Sequence, residues 1–366
     1  MNKRKYSLLV FLIFPIIIPP VFAQTIQPPY DSNYVFLDLG SVPGVPPSYG
    51  GLTLDINDLN KLLIGGSANT AGGLIYSIDV VRDGNDHIIG FSGIAVPVIA
   101  GGFNNGGLAY GPGDVLFYSR YIINELGQVE PGSAVTNKII PLTPLGVAVS
   151  TGGLNFVPPG FPSAGNLKIN SWSGGQWYDV TLTPDGGGTF DINTIVNIPA
   201  STLPGGPEGF IWVPPGSPDF PDPSMLVSEW SAGNIAAYEI DGNSDPIIAT
   251  RQTFMSGLSG AEGAFIDPLT GDFMFSTFGG GDRVVIVQGF LPPPPPPPPT
   301  VVGGELLPID TTALLLVAVQ SPTLWWISGL LSAVGVGAFL FTRNPNNTRN
   351  VKVILQDYLD KFVKTD

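Results

Sequence analysis

The sequence of 366 residues contains no cysteine and a single histidine. The lack of cysteine excludes disulfides and thiol nucleophiles, and one histidine leaves too few imidazoles for most zinc or copper centres. Export is not excluded, because a domain of this length can bury a full hydrophobic core without disulfides.

Charged residues are also scarce, at 12% of the chain. Residues 24–300 include 24 acidic and 7 basic residues, so the net charge of this region is 7 − 24 = −17. This charge argues against a nucleic-acid partner and against electrostatic binding to anionic lipid. The chain is instead rich in glycine (48) and proline (38), which together with many β-branched and aromatic residues predicts short strands joined by turns.

Both ends of the sequence carry long apolar runs. Residues 1–23 combine a basic start, an apolar run and a final small residue, which predicts a signal peptide cleaved after Ala23; an uncleaved anchor is the alternative. Residues 323–342 contain no charge and are long enough to form a transmembrane helix. Five basic residues follow this run, so the tail of residues 343–366 is expected in the cytoplasm and the bulk of the protein outside.

A proline-rich spacer separates the membrane segment from the rest. Residues 291–300, "LPPPPPPPPT", predict a polyproline II rod, and residues 301–322 form a juxtamembrane segment. The block "PIDTTALLL" within it resembles the C-terminal region of surface proteins from ammonia-oxidising archaea, where it precedes a membrane helix and a short charged tail. This resemblance covers residues 303–343 and implies a cell-surface anchor, not an activity.

Residues 24–290 contain a repeated frame, which is a pair of residues ending in glycine followed by an apolar strand. The residues after the frame glycine are separated by 56, 46, 56 and 54 positions: Leu52, Leu108, Leu154, Phe210 and Ala264. Each unit continues with further short strands, and four-stranded units at this period are typical of β-propeller blades. The prediction is an all-β propeller of five blades, or six if one unit has lost its frame; a β-sandwich or two smaller β domains are the alternatives.

The last unit lacks a fourth strand, and residues 33–40 are expected to supply it and close the ring. The stretches "GGLAYGPGDVLFYSR" and "LVSEWSAGNIAAYEID" also resemble a group of uncharacterised exported bacterial proteins with sorting tails. That likeness spans residues 51–290 and implies a propeller and export, with no assigned activity.

The first residue of the frame varies in a way that suggests a site. It is Gly50, Gly106 and Gly152 in three units but Glu208 and Glu262 in the other two. Equivalent frame residues lie at one mouth of the channel, so the two carboxylates can converge and bind a calcium ion, with Asn105 as a third oxygen ligand. The alternative is that each glutamate accepts hydrogen bonds from backbone amides at the start of its own strand.

Other polar residues suggest no further site. His87 is expected to be solvated in a turn, and the Asp-rich residues 83–87, 241–245 and 267–272 lack a complete calcium-loop pattern and predict turns. The sequence therefore predicts a single-pass cell-membrane protein displaying a binding or structural module, with an unknown extracellular ligand or surface protein as partner. A calcium-dependent propeller hydrolase of the lactonase type is the alternative, and it rests on the two glutamates alone.

Overall fold

The computed structural model describes residues 24–293, whose strands form five sheets. The predicted signal peptide, most of the proline spacer, the juxtamembrane segment, the predicted membrane helix and the tail lie outside these residues. Within residues 24–293, no helix is long and apolar enough to cross a membrane.

Each sheet is one blade of antiparallel strands. The strands are numbered in chain order and are given for each blade from the axis outwards. Two strands precede the first frame: β1 (Thr25–Ile26) and β2 (Val35–Gly40). Blade 1 consists of β3 (Leu52–Asp55), β4 (Asp58–Gly66), β5 (Leu74–Arg82) and β6 (Ile88–Ile99). Blade 2 consists of β7 (Asn104–Tyr110), β8 (Leu116–Arg120), β9 (Glu125–Val129) and β10 (Lys138–Pro141). Blade 3 consists of β11 (Thr151–Phe156), β12 (Leu167–Ser171), β13 (Trp177–Pro184) and β14 (Phe190–Asn197).

The last two blades each include a strand from the N-terminal end. Blade 4 consists of β15 (Pro207–Trp212), β16 (Ser224–Glu229), β17 (Asn234–Glu239) and β18 (Gln252–Ser256), with β1 outside β18. Blade 5 consists of β19 (Ala261–Ile266), β20 (Phe273–Thr277) and β21 (Val284–Gln288), with β2 as its outer strand. Short 3-10 turns occur at Tyr30–Ser32, Pro112–Asp114, Thr143–Leu145, Pro199–Ser201 and Ile248–Thr250.

This topology confirms the predicted five-bladed propeller and its closure. Strand β2 pairs antiparallel with β21, and Phe36 lies opposite Val287. The pairing of β1 with β18 was not expected from the sequence, because two residues are too few to show a strand pattern. The Asp-rich segments form turns as predicted; for example, the Asp241 carboxylate accepts hydrogen bonds from the amides of Asn243 and Asp245.

Five clusters of buried apolar side chains form the core, one at each junction between neighbouring blades. The junction of blades 4 and 5 contains 18 buried members, and the next three contain 14, 11 and 11. The junction of blades 1 and 2 contains only seven: Leu63, Ile75, Ile99, Leu108, Leu116, Tyr118 and Val129. Since each buried large side chain contributes roughly 1.5–3 kcal/mol, this junction is held by the least apolar burial.

The second residue of every frame is a glycine because the innermost strands touch there. A Cβ atom on Gly51 would lie 2.7 Å from the Cβ of Leu108 in blade 2, and one on Gly107 would lie 2.5 Å from the Leu154 amide nitrogen in blade 3. Blades 3, 4 and 5 approach their neighbours in the same way through Gly153, Gly209 and Gly263. The five glycines therefore form a ring of close backbone packing around the axis, with no room for a side chain.

An ion pair and a hydrogen bond join blade 5 to blade 1, where the ring closes. Arg82 Nη1 lies 2.6 Å from Asp267 Oδ2, and His87 Nδ1 lies 2.8 Å from Asp272 Oδ2. The expectation that His87 is a solvated turn residue was therefore wrong. The turn before β6 carries the imidazole onto a buried carboxylate of the neighbouring blade, which the sequence could not show.

Candidate functional site

Local irregularities in two innermost strands position the frame glutamates. The register of β15 shifts between Pro207 and Phe210, and that of β19 shifts between Ala261 and Ala264. Each shift brackets a Glu-Gly pair, and such bulges redirect side chains out of the regular alternation of a strand. Both glutamates are consequently buried: Glu208 is 3% exposed and Glu262 is 1% exposed.

The Glu208 carboxylate reaches beyond its own blade. A Cβ atom on Gly106 would lie 2.6 Å from Glu208 Oε2, and one on Gly152 would lie 3.0 Å from the same oxygen. The frames of blades 2, 3 and 4 thus meet at this carboxylate, and the two glycines leave the space that it occupies. Three of the five frame positions therefore meet at Glu208, whereas the convergence of the Glu208 and Glu262 carboxylates stays a prediction.

The hydrogen bonds of Glu208 also come from another blade. Asn105 Nδ2 donates to Glu208 Oε2 at 3.0 Å. Burial raises the pKa of Glu208 well above its ordinary value, and the hydrogen bonds from Asn105 and from the Gly106 amide oppose that shift. The expectation of a local bond to the glutamate's own strand start was wrong, because the carboxylate points across to blade 2.

Glu262 is less well hydrogen-bonded than Glu208. Its Oε1 atom is buried and has no hydrogen-bond partner among the described residues. Burial, and then the nearby charge of Glu208, raise the pKa of Glu262 well above its ordinary value. No lysine, arginine or histidine within residues 24–293 forms an ion pair with either carboxylate. Burial of two carboxyl groups without a basic partner favours their protonated forms or a bound cation.

Asn105 supplies a second buried acceptor without a partner. The residue is buried, and Nδ2 also lies 3.3 Å from the carbonyl oxygen of Thr151, while Oδ1 receives no hydrogen bond within the described residues. The oxygens of Asn105, Glu208 and Glu262 suit calcium, which prefers oxygen ligands. They do not complete a shell, since no group of three or more His, Cys, Asp or Glu side chains suited to a metal occurs within residues 24–293. Main-chain carbonyls and water would have to supply the remaining ligands.

Aromatic side chains form an arc at the same end of the channel, and the sequence interpretation missed them. The residue directly after the second strand is aromatic in four consecutive blades: Tyr121, Trp172, Trp230 and Phe278. Neighbouring rings contact each other with centroids 5.9, 5.8 and 6.3 Å apart and interplanar angles of 87°, 73° and 62°. All four are only partly buried. Blade 1 carries the small residues Ser67 and Ala68 there.

The arc lies against the segments that lead into the two glutamates. A Cβ atom on Gly206 would lie 2.9 Å from Trp172 Nε1, and one on Gly260 would lie 2.6 Å from Trp230 Nε1. Trp230 Nε1 also donates to the Phe278 carbonyl at 3.2 Å. The aromatic arc and the acid pair therefore share one end of the propeller, which we call the channel mouth.

The backbone around the channel mouth is strained beside Tyr121. Phe103 and Ile122 have φ angles of 62° and 66°, and the Tyr121 amide donates to the Phe103 carbonyl at 3.0 Å. Bulky and β-branched residues rarely adopt this left-handed conformation, and such outliers cluster at functional sites. The strain holds two apolar residues next to the aromatic arc.

No family model and no curated protein matches this sequence. Among solved structures, an auxiliary nutrient binding protein from Bacteroides ovatus is 12% identical, with 70% of this chain and 76% of that chain covered and a TM-score of 0.39. The PQQ-bound aldose sugar dehydrogenase from Streptomyces coelicolor is 15% identical, with 68% and 83% covered and a TM-score of 0.35. Virginiamycin B lyase from Staphylococcus aureus is 11% identical, with 70% and 99% covered and a TM-score of 0.36. At these values the similarities carry no functional argument, and the chain is defined by its own fold as a five-bladed β-propeller.

Proposed function

We propose that this protein is a non-enzymatic binding module of the cell surface and that the channel mouth is its binding face. The observation that carries the proposal is the aromatic arc, since four blades place a partly exposed ring at the same position around one end of the channel. Aromatic rings provide large contact areas at little cost in conformational entropy. The apolar runs of residues 1–23 and 323–342 support secretion and anchoring of this module in the membrane.

The composition of the channel mouth favours an uncharged ligand. Its rim consists of the ends of the second strands and the segments before the frames: residues 48–50, 67–69, 103–106, 121–122, 150–152, 172–173, 206–208, 230–231, 260–262 and 278–279. Glu208 and Glu262 are the charged residues in these segments and both are buried, while one further carboxylate, Asp282, accepts a hydrogen bond from the Gly279 amide at the edge of the rim. Partly exposed rings next to serine and asparagine suit a neutral sugar, whose C–H face can stack on an aromatic ring while its hydroxyls form hydrogen bonds.

Retention on immobilised neutral polysaccharides tests this proposal. We expect the full-length protein to be retained by at least one of them, and the double variant Trp172→Ala with Trp230→Ala to bind roughly tenfold more weakly or worse. Each lost ring contact contributes about 0.5–1.5 kcal/mol, and about 1.4 kcal/mol corresponds to a factor of ten. Leu269→Ala removes an exposed apolar side chain in the turn between β19 and β20 and serves as the control. Equal retention of both variants, or no retention of the parent, contradicts the proposal.

Calcium binding by Glu208, Glu262 and Asn105 is the second part of the proposal. The two buried acceptors without a partner support it, because a cation would satisfy Glu262 Oε1 and, after rotation of the amide, Asn105 Oδ1. Isothermal titration of the metal-stripped full-length protein with Ca²⁺ should give a saturable signal. The double variant Glu208→Gln with Glu262→Gln should lose this signal. A signal that is absent in the parent, or equal in both proteins, contradicts calcium binding at these residues.

The lactonase-type hydrolase is the alternative, and the burial of the acid pair counts against it. A hydrolytic site must expose its carboxylates or its metal to substrate and water, whereas both glutamates are buried. Calcium-dependent turnover of a lactone that is lost in Glu208→Gln would establish the enzyme and overturn the binding module.

A further inference from the structure

A cleft of about 690 Å³ lies between blades 1 and 2, outside the channel mouth. Its walls are the exposed part of β5 and β6, the turn between β3 and β4, and the loop between β9 and β10. Small-molecule sites in proteins have volumes of roughly 300–1,000 Å³, so this cleft is of the size that holds one organic ligand.

The cleft exists because blade 2 does not cover the face of blade 1. Strand β6 contains 12 residues, whereas the outer strand of blade 2, β10, contains four. The same junction has seven buried apolar side chains, against 11 to 18 at the other four. Apolar side chains therefore fill four of the five junctions between blades, whereas the junction of blades 1 and 2 stays open at the cleft.

Apolar side chains line the open part of this junction. Ile94 is 75% exposed and Val96 is 56% exposed on β6, and Ile56 is also exposed in the turn between β3 and β4. All three line the cleft. Exposed aliphatic side chains that border one concavity are typical of ligand sites, since scattered exposed residues would not converge in this way.

Acidic side chains stand beside the apolar ones. Asp55 and Asp114 both line the cleft together with Tyr110. Burial raises the pKa of Tyr110 to about 12, and the charges of Asp55 and Asp114 add to the shift, which places both carboxylates near the phenol. Neither aspartate forms an ion pair with a lysine, arginine or histidine within residues 24–293.

The one basic residue that lines the cleft does not neutralise these carboxylates. Lys61 Nζ lies 2.7 Å from Asp79 Oδ1 and 3.5 Å from Asp58 Oδ2, so its charge is already shared by two other aspartates. The cleft therefore presents an apolar wall and an unbalanced negative charge. A ligand that satisfies both carries a positive charge on an apolar body.

We propose that the cleft between blades 1 and 2 binds a small organic cation, such as an amine or guanidine attached to an aliphatic or aromatic group. The cationic group lies against Asp55 and Asp114, and the apolar body covers Ile94 and Val96. This site is separate from the channel mouth, because none of the residues that line the cleft belongs to the rim segments of the mouth.

Ligand-observed NMR on the full-length protein tests the proposal with three probes that share a phenyl group. Phenethylammonium should show saturation transfer and a saturable titration, whereas 2-phenylethanol and 3-phenylpropanoate should bind at least tenfold more weakly. Equal binding of the alcohol, or no binding of the ammonium probe, overturns the proposal.

Matched variants test whether the ammonium probe binds in the cleft. The double variant Asp55→Asn with Asp114→Asn should weaken phenethylammonium at least tenfold; asparagine retains the oxygen with which Asp55 accepts the Asn57 amide, so the turn is preserved. The control, Asp31→Asn with Asp222→Asn, removes the same charge from exposed positions outside the cleft. Equal affinity in the two double variants contradicts the assignment to the cleft. Because the variants leave the aromatic arc unchanged and the polysaccharide test uses different ligands, failure here leaves the test of the channel mouth unaffected.

Discussion

Replacing one glycine of the axial ring by alanine should destabilise the whole propeller. A Cβ atom on Gly153 would lie 2.6 Å from the carbonyl carbon of Glu208 and 3.0 Å from the Cα of Gly209, and both atoms are backbone. No side chain can rotate away, so β11 and β15 must separate. Overpacking of this kind costs about 1–3 kcal/mol, and we expect the upper end, about 3 kcal/mol. This is a large share of a total stability of ~5–15 kcal/mol.

The assay is thermal and urea unfolding of the full-length protein. A loss of about 3 kcal/mol should lower the melting temperature by roughly 6–12 °C in a domain of this size. The matched control is Gly90→Ala in β6, where an added Cβ would meet no atom within 4 Å. That change should be neutral or slightly stabilising, because alanine restricts the unfolded chain. A Gly153→Ala protein as stable as Gly90→Ala would refute the close packing of inner strands at the axis.

Three further predictions concern charge, closure and topology. Because the folded-state pKa values of Glu208 and Glu262 are raised, the calcium-free protein should lose stability as the pH rises above 4.5. The double variant Glu208→Gln with Glu262→Gln should lose less. If the urea midpoints of the two proteins fall equally with pH, this expectation is contradicted. Deleting residues 33–40 removes the outer strand of blade 5 and should lower the melting temperature by several degrees or prevent folding, whereas an unchanged melting temperature would reject closure by β2. Protease added to intact cells should degrade the propeller and leave residues 343–366 protected; a cut tail with an intact propeller would reverse the proposed orientation.

The sequence predicted the blades because their strands repeat. Frame glycines recur at a period that fits a four-stranded sheet, and the last unit lacks one strand, so five or six blades and the pairing of residues 33–40 could be inferred; the structure has five. The two-residue strand β1 could not be inferred, since its pairing with β18 depends on where the chain passes in three dimensions.

The candidate site was only partly visible in the sequence. The frame identified Glu208 and Glu262 and their common location, but not that Glu208 reaches Asn105 across the axis, because the distance across a propeller depends on how tightly its inner strands pack. The aromatic arc did leave a signal in the sequence, because Trp172 and Trp230 directly follow equivalent second strands in the aligned repeats. Other tryptophans, such as Trp177, are buried, and the sequence does not distinguish them from exposed ones. The exposure of Trp172 and Trp230 could therefore be learned only from the structure.

The most direct test of the channel mouth as the binding face is tryptophan fluorescence during titration with a soluble oligosaccharide of the retained class. Trp172 and Trp230 are partly exposed in the arc, whereas Trp177 and Trp212 are buried. We expect a saturable change in emission in the parent that follows sugar binding and disappears in the variant lacking both arc tryptophans, with Leu269→Ala behaving like the parent. Sugar binding that leaves the emission unchanged, or that persists at full affinity without Trp172 and Trp230, would contradict the assignment of the binding face.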